Sequence, residues 1–180
     1  MSDDELLQAY LRGKEAAFDL LYARYKQSLY NYFYRNCDKA VVDELFQDVW
    51  LRVIASVKRY QNQNKFRSWL FTLAHNCLVD HYRRQGARVN INVKDDDPLR
   101  SPVKQASADS IVDGKRLELR LKDALARLPA EQRESFYLRE ESGFSIRDIA
   151  KIQDISNEAA KSRLRYTYKK LRSMLEEASI

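Results

Sequence analysis

Four of the seven Gly and Pro residues in this chain are gathered in one stretch. Gly86, Pro98, Pro102 and Gly114 bracket or interrupt a run of Ser, Asn and Lys that also holds the acidic triplet Asp95, Asp96 and Asp97. On either side, apolar residues recur at three- and four-residue steps. A segment of nearly thirty residues with no helical period is longer than a compact domain normally tolerates. It therefore predicts two small domains, 1–85 and 115–180, joined by a flexible linker at 86–114. With only 4 Gly and 3 Pro in 180 residues, the turns needed for a β-sandwich or a string of β/α units are lacking. The 44% hydrophobic content nevertheless supplies two cores. The expected fold is all-α.

In the first domain, Phe18, Leu21, Tyr22, Tyr25, Leu29 and Phe33 form the apolar face of a helix over 16–35. A second helix, 41–60, turns Val42, Leu45, Phe46, Val49, Val53 and Val57 inward and Glu44, Asp48 and Leu51 outward, with Gln47 beside them. A third, 66–84, buries Phe66, Leu70, Leu73 and Cys77 and carries Ser68, Thr72, His75, Asn76 and Arg83 on its opposite face. In the second domain, an amphipathic helix through Leu117, Leu121, Ala124, Leu125 and Leu128 stops at Pro129, which suits the first turn of the next helix. Gly143 ends that one. Ser145 with Asp148 caps a short helix, and Ser156 caps a long one running to about Glu176. Two helices separated by three residues, the second long and basic, fit a helix-turn-helix.

The charge balance is +6, and its position matters more than its sum. Projected on a helical wheel, the last helix buries Ala160, Leu164, Thr167, Tyr168, Leu171 and Leu175, and exposes Glu158, Lys161, Ser162, Arg165 and Lys169 together. From Lys161 to Arg172 there are six basic residues and no acidic one. A single-sign face after such a turn points to the phosphate backbone and major groove of DNA. A second basic region, Lys58 to Arg88, sets seven Lys and Arg against Asp80 and interleaves aromatic residues. Of these, Phe66 and Trp69 lean toward the core. Tyr60, Phe71 and Tyr82 are expected to be freer to stack on unpaired bases. The loop Gln61, Asn62, Gln63, Asn64 and Lys65 offers amide groups able to read a base edge.

These residues carry a resemblance. AFDLLYARY, DELFQDVWLRV and KFRSWLFTLAHNCLVDHYRR are similar to the second region of the bacterial extracytoplasmic-function sigma factors. ALARLPAEQRESFYLRE followed by SIRDIAKIQDISNEAAKSRLRYTYKKL resembles their fourth region, and together the two cover roughly 140 of 180 residues in the right order. The resemblance implies a non-enzymatic, promoter-specific subunit of RNA polymerase. It places Glu44, Gln47, Asp48 and Leu51 against the clamp helices of the largest polymerase subunit, and the second domain on the polymerase flap. The loop Gln61 to Lys65 would hold a base flipped from the minus-ten element, with Thr72, His75 and Asn76 facing the neighbouring bases. Lys161, Ser162, Arg165 and Tyr166 would read the minus-thirty-five element. An anti-sigma protein is the implied regulator. The chain departs from the family pattern with Glu44 for Asp, Asp154 for Gly, Ala159 and Ala160 for Thr-Val, and Tyr166, Thr167 and Tyr168 for Arg-Ala-Arg.

An enzyme reading would use Asp43, Glu44 and Asp48, or the triplet 95–97, to hold a divalent metal for nucleic-acid cleavage. Asp43 and Glu44 diverge on a helix, and the triplet lies in the linker, so neither set converges. His75, Cys77 and His81 likewise point in different directions for zinc. The expectation is therefore no metal and no cofactor. No run reaches the roughly 18 apolar residues of a membrane helix, and the acidic start MSDDELLQAY is no signal sequence. Cys37 and Cys77 lack CxxC pairing and read as small hydrophobes in the cytoplasm.

Overall fold

The computed structural model describes residues 1–61, 65–86 and 109–177, with side chains throughout except at 109–113 and 177. The described residues form α1 (Asp3–Leu11), α2 (Glu15–Asn36), α3 (Lys39–Ser56), a 3₁₀ turn (Val57–Arg59), α4 (Phe66–Arg84), α5 (Asp109–Ala126), α6 (Ala130–Glu140), α7 (Ile146–Ile152) and α8 (Asn157–Glu177). No described helix is long and apolar enough to cross a membrane.

The first four helices share one core. Leu21, Leu29 and Phe33 of α2 meet Val42, Leu45, Val49 and Val53 of α3 and Phe66, Leu70 and Cys77 of α4, all essentially out of contact with water. Each such side chain contributes about 1.5–3 kcal/mol through burial alone. The opening residues, expected only as an acidic start, are a docked helix. Ser2 and Glu5 cap it reciprocally, the Glu5 amide donating to Ser2 Oγ at 3.2 Å and the Ser2 amide to Glu5 Oε2 at 2.6 Å. Its own Leu6 and Leu7 are buried. Arg24 and Tyr25 both donate to Asp3, and Tyr60 donates to the buried Asp4 at 3.0 Å. The acidic residues therefore serve as acceptors for α2 and for the segment that follows the 3₁₀ turn.

In the second group, Leu125, Leu128, Tyr137 and Leu171 knit α5 and α6 to α8, while Leu138, Ile149, Ile152 and Leu164 pack around the helix-turn-helix. Helix α5 starts at Asp109, inside the stretch expected as linker. Gly114 was read as a boundary, yet a glycine in an exposed helix interior costs only about 1 kcal/mol and does not end it. After α6, Gly143 takes φ +67° and lets the Phe144 amide return to the Leu138 carbonyl at 3.0 Å. Between α7 and α8, Asp154 sits at φ 51°, the left-handed conformation that Asp accepts more readily than most residues. Ser145 and Ser156 cap their helices as expected, Oγ accepting from the Asp148 and Ala159 amides at 3.1 Å each.

The two groups are docked. Helix α4 lies against α7 and α2 against α6, and Phe144 and Ile149 join the same apolar cluster as Phe71.

Candidate polymerase and nucleic-acid interfaces

The outer stripe of α3 follows directly from helical spacing. Glu44, Gln47 and Leu51 are exposed at three- and four-residue steps, and Ile54 extends the row. Leu51 is 64% exposed and Ile54 46%. The stripe thus sets two exposed apolar side chains in line with an acidic one. Ile54 was not read from the sequence, although its position three residues past Leu51 was the available signal. Asp48, expected to face solvent, is half-buried: it pairs with Arg52 at 3.2 Å, and Arg52 reaches Asp80 of α4 at 3.0 Å. Packing of α3 on α4 gives this carboxylate an internal partner. The wider carboxylate cluster does not converge, since Asp43 instead receives the Tyr30 hydroxyl, which raises the pKa of that phenol. Among the described residues no group of His, Cys, Asp or Glu is arranged to hold a metal.

The basic face of α8 is open to solvent. Lys161, Arg165, Tyr166 and Lys169 are exposed, with Ser162 half-buried at the edge. Lys161 donates to Glu158 at 2.9 Å, a contact between two solvated side chains, and the Arg165 guanidinium lies 5.4 Å from the Tyr166 ring centre. Arg139 of α6 and Arg172 line the same groove of about 720 Å³ with Arg165 and Lys169. Arg172 was legible as the next step of the α8 stripe; Arg139 comes from another helix and was not. Two expectations change. Tyr168 is 40% exposed instead of buried, its hydroxyl donating to Glu140, while Thr167 takes the inner position. Arg163, counted with the basic face, turns inward to Gln153 at 2.9 Å and Glu131 at 3.2 Å.

The polar face of α4 splits in two. Gln61, Lys65, Asn76 and Arg83 are exposed, and the residues 62–64 lie outside the described ones. Thr72 and His75 are both partly buried, and Thr72 Oγ1 donates to the Ser68 carbonyl at 2.9 Å. The Ser68 hydroxyl donates to Asp148 at 3.3 Å, and Arg67 lies 4.3 Å over the Phe144 ring while donating to the Ser142 carbonyl. His75 Nδ1 is 2.9 Å from Glu134 Oε1. Burial pushes the His75 pKa down, but the hydrogen bond and charge of Glu134 outweigh it and the net direction is up. Glu134 shows the mirror case, its carboxyl raised by burial and brought below its ordinary range by His75, Tyr32 and Gln153. The aromatic residues expected to be free are not: Phe71 is fully buried between Tyr32 and Phe144, Tyr60 packs tilted against Trp69 with ring centres 4.9 Å apart, and Tyr82 donates to the Asn36 carbonyl at 2.7 Å.

Comparison with known proteins agrees with this division. Residues 21–88 match the model of Sigma-70 region 2, and 118–171 match Sigma-70, region 4. The RNA polymerase sigma factor CarQ of Myxococcus xanthus is 31% identical over 175 residues, covering 97% of this chain and 98% of CarQ. The ECF RNA polymerase sigma factor BldN of Streptomyces coelicolor is 30% identical over 165 residues, 90% of this chain and 61% of BldN's length. Among solved structures, the sigma factor RpoE of Bartonella quintana, in complex with the anti-sigma factor NepR, superposes with a TM-score of 0.68 at 25% identity, over 88% of this chain and 96% of that one. With both regions present in order on the two helical groups and a relative matched almost end to end, the chain belongs to the extracytoplasmic-function sigma factors, non-enzymatic subunits that direct bacterial RNA polymerase to promoters.

Proposed function

We propose that this sigma factor divides its work between the two helical groups. The first, 1–85, grips the clamp helices of core polymerase through Glu44, Gln47, Leu51 and Ile54, with Asp48 supporting the contact from its ion pair. The same group takes a base flipped from the minus-ten element in the loop 61–65 and contacts neighbouring bases with Thr72, His75, Asn76 and Arg83. The second, 115–180, reads the minus-thirty-five element through Lys161, Ser162, Arg165 and Tyr166, while Lys169 and Glu158 flank the groove, and it docks on the polymerase flap. The stretch 86–114 connects them. The protein works in the cytoplasm without metal or cofactor. An anti-sigma protein is its regulator, as NepR is the bound partner of the similar RpoE.

The observation that carries this reading is the exposed acidic and apolar stripe on α3. A helix-turn-helix regulator acting alone has no use for it, whereas a polymerase subunit needs a protein-facing surface distinct from its DNA-facing ones. The test is core binding by the pair Leu51→Asp and Gln47→Ala in the full chain. Binding to core polymerase, and run-off transcription from a genomic promoter library, should be lost with helicity unchanged, since both side chains are exposed. Retained core binding would place the interface elsewhere.

A further inference from the structure

Helix α1 takes no part in the contacts assigned above, yet it holds a buried carboxylate. Asp4, in its first turn, is 5% exposed. The adjacent Asp3 accepts from Arg24 and Tyr25 of α2, and Leu6 and Leu7 fix the helix in the core. A carboxylate withdrawn from water is costly unless donors replace its solvation, and the positive end of a helix supplies only part of that. A side-chain donor comes from well along the chain: the Tyr60 hydroxyl lies 3.0 Å from Asp4 Oδ1.

Tyr60 stands where the chain leaves the 3₁₀ turn in an extended conformation. Its ring centre is 4.9 Å from that of Trp69 and 6.1 Å from that of Phe66, both on α4. A phenol has one proton to give and lone pairs to receive another. With its proton directed to Asp4, the Tyr60 oxygen accepts the Lys65 amide at 3.3 Å. Lys65 is the N-cap of α4, and its own side chain makes no capping bond there. One hydroxyl therefore ties α1 to both flanks of the stretch that follows Tyr60 and ends at Lys65. Hydrogen bonds in series of this kind polarise one another, and the buried carboxylate at the end anchors the set.

We propose that Asp4 and Tyr60 are positioning residues for minus-ten recognition, the Asp4–Tyr60–Lys65 chain of hydrogen bonds fixing the two ends of the 61–65 loop before DNA arrives. This rests on the assignment of 61–65 as the loop that takes the flipped base. The two residues act through Lys65 and the loop, not by touching DNA. Extruding a base is costly, and a pocket that must first be ordered offsets less of that cost than one already arranged. Strand affinity then falls by the fraction of chains whose loop is in the receptive arrangement.

The probe is the non-template strand of a minus-ten region, from a promoter that the wild-type holoenzyme selects from a genomic library by run-off transcription. One oligonucleotide carries every base, and a series carries an abasic site at each position in turn. Fluorescence anisotropy reads their binding to holoenzyme assembled with the full wild-type chain or with a variant. Wild type should show one position at which loss of the base weakens binding sharply. Tyr60→Phe keeps the ring against Trp69 and Phe66 and removes only the hydroxyl. It should weaken the intact strand about tenfold, as when the receptive fraction drops to about a tenth. The strand abasic at that position should bind as it does to wild type. Asp4→Ala should match Tyr60→Phe, and the double variant should lose no more than either, because both break one chain of bonds. Asp4→Asn still offers an oxygen to Tyr60 and should recover most of the loss.

Tyr25→Phe separates this effect from a general loosening of α1. It removes the hydroxyl that Asp3 accepts, and should lower the melting temperature without changing the dependence on the base. Circular dichroism follows helicity, and Tyr60→Phe is the deciding variant if Asp4→Ala loses helix. Intact-strand binding unchanged in Tyr60→Phe overturns the proposal. So does an equal loss in Tyr25→Phe, or a loss shared alike by the intact and abasic strands. A wild type with no base-sensitive position overturns instead the loop assignment on which the proposal stands.

Discussion

Helices α4 and α8 are built alike and end up in opposite situations. Both run for about five to six turns, both have an apolar stripe toward a core, and both carry basic residues. The α8 face stands open to solvent. The α4 face lies against α7, and its Phe71 and His75 meet Phe144 and Glu134 far along the chain. The difference lies in the kind of polar group each face presents. Lys161, Arg165 and Lys169 repel one another and find little acidic material nearby beyond Glu158 and Glu140, so the α8 charge stays largely unneutralised within the chain. Ser68 and His75 are neutral or titratable, and acidic side chains satisfy them at short range. A face of strong single-sign charge resists internal coverage, and a face of hydrogen-bonding groups around one aromatic residue invites it.

The largest effect expected from this contrast is on stability. Phe71→Ala empties a site held by Tyr32 and Phe144 and should cost about 3–5 kcal/mol in denaturant unfolding, whereas Tyr166→Ala on the open helix should stay within about 0.5 kcal/mol. Comparable losses at the two positions would mean that the α8 face is covered as well.

Next in size are the DNA effects of the open helix. Arg165→Ala should change which minus-thirty-five sequences the holoenzyme selects, by about 1–3 kcal/mol where it contacts a base edge, and Lys169→Ala should weaken all sequences alike and flatten the salt dependence. Competition binding against a randomised promoter pool reads both. An equal shift in sequence preference by the two variants would show that the face has been divided wrongly between base and phosphate contacts.

The smallest effect is the response of the seam between the two helical groups to pH. The groups around Glu134 and His75 are Tyr32 from α2, Arg163 from α8, and Gln153 and Asp154 after α7. The His75 pKa is raised, so its contribution to docking is fully present below 6.5 and is lost as pH rises through the raised value. The Glu134 pKa is lowered, so its contribution is present above 4.5 and is lost as pH falls through the lowered value. Docking should be strongest between these limits. Amide hydrogen exchange at α6 and α7 followed with pH should show protection falling on the alkaline side, and His75→Gln should remove that limb.

Much of this was legible from the residues alone. Helix α4 follows the expected 66–84 limits because the Phe66, Leu70 and Cys77 spacing runs unbroken and the basic residues Arg83 and Arg84 fill its last turn. The caps at Ser145 and Ser156 were readable because a hydroxyl and an amide two or three residues apart suffice to form them. Helix α1 was missed although Ser2 and Glu5 spell its capping box, since the acidic run drew attention to charge and away from Leu6 and Leu7. On α8, Thr167 and Tyr168 are adjacent, and a wheel drawn at fixed spacing placed both inside; the real helix has room for the smaller one. Phe71 looked free for base stacking because nothing within its own helix covers it, and the rings that do are Tyr32 of α2 and Phe144 of the other group.

What the sequence determined by itself was the set of helices, their caps, their inward faces and the single-sign charge of α8, because each depends on residues within about one turn of one another. What only the tertiary structure decided was which polar face remains open. Tyr32 and Glu134 stand 102 positions apart and His75 and Glu134 59 apart, and no local period encodes their meeting. Their contact depends on the shapes of two finished helical groups and on the cost of leaving a buried carboxylate without donors, and both terms arise only once those groups are built.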